Sequence, residues 1–267
     1  MEALMGERPA AIAGRFYPAD AAELRDTVAT LLAANPCPGE PPKVLVVPHA
    51  GLQYSGPIAA RAYARLAAVR ERIARVVLLG PSHFVALRGL AAPTVSAWRT
   101  PLGAVPIDRE ALADVADLPQ VVAHDLPHER EHSLEVQLPF LQTALGAFRL
   151  APFAVGAARP AAVAAVLERL WGGPETLIVI STDLSHHQPY ATAQAHDART
   201  AARIVALATD LSGDDCCGCQ PLNGLLALAR TRGLAIEQLD LRNSGDTAGD
   251  RARVVGYGAW ALRDARA

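Results

Sequence analysis

The sequence predicts an α/β fold, with a mostly parallel or mixed central sheet flanked by helices, and three observations carry that reading. Short apolar runs rich in β-branched residues recur at Lys43–Val47, Arg75–Gly80 and Thr176–Ser181. Stretches with helical apolar spacing lie between them, and each apolar run ends abruptly at polar or turn-forming residues. Continuous apolar strands alternating with amphipathic helices belong to sheets covered on both faces, and ligands of such sheets gather beyond the carboxyl ends of the strands.

Taken in order, Leu24, Val28, Leu31 and Leu32 are spaced for a helix over 21–34, with Asp20 as N-cap. KVLVV then reads as a buried strand ended by Pro48, and residues 58–69 as a helix. RVVLLG is a second buried strand. After a middle punctuated by Pro and Gly, SLEVQLPFLQTAL reads as a helix from Ser133, which Pro139 kinks or restarts. FRLAPFAV is a strand, PAAVAAVLERLW a helix with Pro160 in its first turn, and TLIVIS the third buried strand. Helices over 193–208 and 222–230 follow, and VVGYGAWAL alternates like a half-exposed strand. No repeat or long Gly/Ser/Pro linker divides the chain, so residues 1–267 are expected to form one domain.

Composition narrows the function. Hydrophobic residues make up 51% and charged residues 19% of the 267, which is globular rather than disordered. Lys+Arg 25 against Asp+Glu 27, with scattered arginines, gives no footprint for nucleic acid or anionic lipid. The first residues lack a basic segment leading into an apolar stretch, and no apolar run approaches spanning length, so a cytoplasmic protein without membrane or nucleic-acid partners is expected. Three of the four cysteines, Cys216, Cys217 and Cys219, crowd together, unlike the spaced framework of a secreted disulfide scaffold.

The chemistry collects at strand ends. KVLVV runs into Pro48-His49-Ala50-Gly51, RVVLLG into Pro81-Ser82-His83, and TLIVI into Ser181-Thr182-Asp183-Leu184-Ser185-His186-His187. One histidine at a strand end is ordinarily a hydrogen-bonded loop residue. Three at the ends of the three most apolar strands of one sheet point to a shared polar site, and imidazoles with an anionic ligand suit zinc, iron or copper. The anion is Asp183 or a thiolate of the 216–219 loop. His187 reads as a solvated neighbour, and Cys37 in its Pro-rich loop as incidental.

Two motifs are set aside. Cys216 and Cys219 make a C-x-x-C, but no second pair exists for a zinc knuckle and no strand leads into it as in dithiol redox proteins. His128-Glu129-Arg130-Glu131-His132 satisfies H-E-x-x-H, yet Pro127 precedes it and the apolar helical pattern starts only at Ser133. His132 alone stays a candidate for the site.

AGRFYPAD, VVPHAGLQYSG, LLGPSHFV, EHSLEVQLPFLQ, STDLSHH, CCGCQPLNGLL and GYGAWAL, in this order from Ala13 to Leu262, resemble the successive signatures of the Memo family. The family is similar in fold to class III extradiol ring-cleaving dioxygenases. The resemblance implies His49 and His83 as two histidine ligands and Cys217 as the third, where the dioxygenases carry a glutamate. It further implies His186 as acid/base with Asp183 lining the pocket. His132, Ser82 and Tyr54 are further pocket candidates. The implied cofactor is iron(II) or copper, with zinc as the alternative; redox activity is the implied function, and ring cleavage is not. A small-molecule or peptide ligand and a pathway shared with a radical-SAM protein are also implied. The chain departs from the family pattern in a shorter stretch between Leu207 and Cys217 and in the extra Cys216 and Cys219.

Three functions compete: a metal-dependent redox protein resembling an oxygenase, a non-catalytic peptide- or metabolite-binding module reusing such a pocket, and a zinc hydrolase. The thiolate would soften the site toward copper(I) or iron, and His186 beside Asp183 could move a proton near neutral pH.

Overall fold

The computed structural model describes residues 6–264. β1 (Glu7–Arg8) is followed by α1 (Ala21–Ala34), whose N-cap Asp20 accepts from the backbone N–H groups of Ala22 and Glu23, both at 2.9 Å. β2 (Val44–Val47) is buried at every residue and leads within four residues into α2 (Leu52–Ala64). This helix begins six residues before the expected Ile58. The N–H of Leu52 finds an acceptor in the carbonyl of Phe16 at 2.8 Å, and burial of Leu52 and Ser55 extends the packed face upstream. His49 therefore sits in a short, taut strand-to-helix loop.

β3 (Arg75–Pro81) is the second buried strand. The Pro- and Gly-punctuated middle folds into β4 (Leu90–Ala92), β5 (Ala97–Thr100), β6 (Gly103–Pro106), α3 (Arg109–Asp114) and β7 (Val121–Ala123). α4 (Leu126–Glu129) and α5 (His132–Glu135) are single turns, and Pro139 restarts the chain as α6 (Leu138–Leu145) rather than kinking one long helix. Then come β8 (Arg149–Val155), α7 (Pro160–Arg169), β9 (Thr176–Ser181), β10 (His186–Gln188), α8 (Tyr190–Val205), α9 (Cys219–Arg232), β11 (Leu234–Asn243) and β12 (Val254–Asp264).

Among the described residues, nine strands form the main sheet, in the order β10-β12-β2-β9-β3-β8-β4-β7 with β11 paired to β12; β1, β5 and β6 make a small second sheet. β2, β9, β3 and β8 run parallel, whereas β12 and β4 flank them antiparallel, so the sheet is mixed. α1, α2 and α6 pack on one another, with α2 on β2, while α7 and α9 pack together, with α9 on β3 and β9. Gly224 permits that last pairing: a Cβ there would fall 2.3 Å from the Cβ of Val163. β12 is nearly all buried rather than half-exposed, because β2 and β11 pair on its two edges and α2 and α8 pack against it.

The parallel core fixes where the polar residues go. Val47 lies opposite Ser181, and Leu79 opposite Ile180. The loops leaving β2, β9 and β3 consequently open at one edge of the sheet.

Candidate metal centre

His49, His83 and His132 meet at that edge, each offering a ligand atom within 4.8 Å of the others. The rings of His83 and His132 stack, with centroids 4.6 Å apart and planes at 18°, and His49 stands edge-on to both at 5.3 Å. Phe16 closes the far side of His132 at 4.8 Å.

Hydrogen bonding sets the tautomer of His49. The Ser181 hydroxyl has one proton, and it goes to the Ser133 carbonyl at 2.6 Å, which can only accept. Gln137 presents its amide nitrogen to the Pro48 carbonyl and to Ser181 Oγ, both at 2.9 Å, while its oxygen accepts from Tyr63. The remaining partner of Ser181 Oγ is His49 Nδ1 at 2.9 Å, so Nδ1 carries the proton and donates. Nε2 of His49 is left bare.

His83 is held by a carboxylate. Its Nδ1 donates to Glu131 Oε1 at 2.8 Å and its backbone N–H to Oε2 at 2.7 Å, which leaves Nε2 free for a ligand. Burial pushes the Glu131 carboxyl up, but hydrogen bonds from His83 and Ser133 and the charge of His83 outweigh it and bring the group to about 2. Burial, then repulsion from His83, holds His49 well below the usual histidine range, and burial followed by the charge of His49 lowers His132 to about 4. Neutral imidazoles are what a metal requires.

Cys217 faces the cluster, its Sγ 3.2 Å from His49 Nε2 and 3.4 Å from the backbone N of Asp183. Gly218 brings it there: a Cβ at this residue would sit 2.6 Å from Thr182 Cβ and 2.7 Å from the Ser181 carbonyl. Burial and the neighbouring Asp183 push the Cys217 thiol up to about 12. Cys216, just ahead of α9, and Cys219, the first residue of α9, are both buried.

Asp183 Oδ1 accepts the His49 backbone N–H at 2.7 Å, a contact that follows from the β2–β9 register two residues upstream. Burial raises the Asp183 carboxyl despite that bond. His186 is exposed at the rim, edge-on to His187 at 6.0 Å and close enough for its charge to act on Asp183 and His49. Tyr54 is half-buried in the first turn of α2; burial above all, then Asp183 and Tyr54, raises the hydroxyl of Tyr257. Ser82 donates to the Val85 carbonyl at 2.7 Å and thereby shapes its loop.

The H-E-x-x-H spacing does not form a shared face. α4 and α5 are separate turns, and His128 points away, donating from Nε2 to the Ala91 carbonyl at 3.0 Å against the edge of Trp98. Glu131 and Ser181 are site residues that sequence reasoning missed. Only the tertiary pairing exposes their roles, although Ser181 stood in the strand-end string.

Three imidazoles with an adjacent thiol are a nitrogen and sulfur donor set, which fits zinc, copper or iron and not the oxygen-seeking cations. Comparisons with known proteins agree in family: a model described as Memo-like protein matches residues 8–261. A MEMO1 family protein of Methanopyrus kandleri is 36% identical over 283 residues, covering 96% of this chain and 99% of the relative. Members described in the same words from Ignicoccus hospitalis and Aquifex aeolicus are each 35% identical, covering 94% and 95% of this chain and 97% and 98% of theirs. Among the described residues, no helix is long and apolar enough to cross a membrane.

Proposed function

The chain belongs to the Memo-like protein family, and from that premise we propose that it is a metalloprotein holding one iron or copper ion for redox chemistry on a small molecule or peptide group. The observation that carries this reading is the convergence of His49, His83 and His132 within 4.8 Å, with the Nδ1 atoms of two of them already engaged by Ser181 and Glu131. Cys217 is the fourth donor in reach. A bound ion would supply Lewis acidity and, as iron or copper, a one-electron couple.

The chain's own groups divide the remaining work. Asp183, raised by burial, can hold a proton beside the cluster, and the exposed His186 connects that interior to water as the acid/base. Phe16 shields one imidazole face and limits water on that side. The family resemblance also supports a pathway shared with a radical-SAM protein.

Metal analysis after anaerobic purification tests the reading. About one equivalent of iron or copper, lost on His49→Ala, is expected for a mononuclear site. Zinc in its place with turnover of a model ester would favour a hydrolase. No metal above background, with no effect of His49→Ala, would sink the proposal and leave a binding module.

A further inference from the structure

One short stretch of chain reaches all three imidazoles. His132 belongs to the cluster, and the Ser133 carbonyl takes the Ser181 hydroxyl on which His49 Nδ1 rests. Glu131 lies beneath the other two rings. Its Oε1 accepts from His83 Nδ1 at 2.8 Å and from the Ser133 N–H at 2.9 Å and is 3.4 Å from His132 Nδ1, while Oε2 takes the His83 backbone N–H at 2.7 Å. The side chain is fully buried, so water does not compete for either oxygen.

Both oxygens of that carboxylate face donors, and only an ion that accepts at both ends satisfies them. An amide could serve one end, but its NH2 would then be driven against an N–H at the other. The arrangement is more than packing: the same oxygen is in contact with two of the three candidate ligands.

We infer that Glu131 is the positioning residue of this centre, one carboxylate that sets the orientation and tautomer of His83 and aligns His132 beside it. A carboxylate behind a ligating imidazole fixes its free nitrogen toward the metal and raises its basicity. Here one group does this for a stacked pair, so His83 and His132 respond together. The part of the inference that concerns metal strength rests on the metalloprotein reading; the part that concerns the His83 tautomer does not.

Nitrogen-15 NMR of the metal-free chain tests the second part. Wild type is expected to show His83 protonated at Nδ1 and bare at Nε2, and Glu131→Gln to show a mixture. A wild-type His83 protonated at Nε2 would overturn the inference even if Glu131→Gln failed to fold. Cobalt(II) titration tests the first part. Affinity is expected to fall about 10- to 100-fold in Glu131→Gln, with shifted ligand-field bands. Glu129→Gln, at the exposed glutamate next to His128, should bind as wild type, and Glu131→Asp should recover part of the loss because it restores the charge one methylene short. Wild-type cobalt affinity together with an unaltered His83 tautomer in Glu131→Gln would overturn the proposal. A wild-type chain that takes no cobalt, iron or copper would sink the metal reading alone, with the NMR result still deciding the role of Glu131.

Discussion

Cys217 Sγ lies 3.2 Å from His49 Nε2, and the tautomer imposed by Ser181 makes that nitrogen an acceptor. In the metal-free chain the thiol, pushed up to about 12, keeps its proton and donates it to the imidazole. A metal taking both atoms as ligands must displace that proton. Wild type is therefore expected to release about one proton more than Cys217→Ser on binding zinc or cobalt at pH 7. Calorimetry in buffers of different ionisation enthalpy reads the difference directly. Equal release from the two chains would show a centre made by the three histidines without the thiol.

Acid should weaken the fold in two separate windows. Burial and the nearby Arg8 lower His128 to about 4, and burial likewise lowers His132 to about 4. Both lie below the ~6.5 of an unfolded histidine, so between those values the unfolded chain binds more protons. Their stability is complete above about pH 6.5 and drains away as pH falls toward 4. Glu131, held at about 2, gives stability above the unfolded carboxyl value of ~4.5 that is lost only toward pH 2. For the fully buried His128 the loss is on the order of 3 kcal/mol. Urea midpoints of His128→Gln between pH 7 and 4 should fall less steeply than those of wild type, and a parallel decline would contradict the assignment.

Glu135, fully buried, gathers Arg8 at 2.5 Å, the N–H groups of Ala11 and Ile12, and the Tyr17 hydroxyl. Arg8 in turn donates to the carbonyls of His128 and Glu131. This clasp ties the N-terminal segment, with Phe16, to the turn carrying His132. Glu135→Ala leaves a guanidinium buried without its partner and should cost about 3–5 kcal/mol in urea unfolding. Asp117→Asn, which removes an exposed pair with Arg169, should cost less than about 1 kcal/mol.

The sheet and the place of the site were legible because their causes are local. Apolar runs such as Val44–Val47 can only be interior strands, and a parallel register carries the residues that follow them to one edge. β11 escaped notice because its Glu237, Gln238, Asp240 and Arg242 lie along a strand that is only partly buried. Which histidine of the 128–132 pair joins the cluster depends on the break between α4 and α5. That break follows from contacts of Arg8 and Glu131 with distant residues, and no spacing within the motif encodes them.

Ser181 gives the sharpest separation between packing and site chemistry. Its hydroxyl accepts from His49 Nδ1 and Gln137 Nε2 and donates to the Ser133 carbonyl. Gln137 keeps a second acceptor in Pro48 when the hydroxyl is removed, but His49 Nδ1–H loses its acceptor within a buried pocket. Ser181→Ala should therefore destabilise the chain by about 1–3 kcal/mol, the usual cost of an unsatisfied buried donor. The ring then gains by moving its proton to Nε2, where the Cys217 sulfur can accept it. That tautomer puts an N–H on the ligand nitrogen itself, so metal must displace a ring proton in addition to the thiol proton it already displaces in wild type. Cobalt affinity should fall by about 10- to 100-fold, and nitrogen-15 shifts should place the His49 proton on Nε2. Loss of stability with unchanged cobalt affinity and an unchanged His49 tautomer would reduce Ser181 to a packing residue.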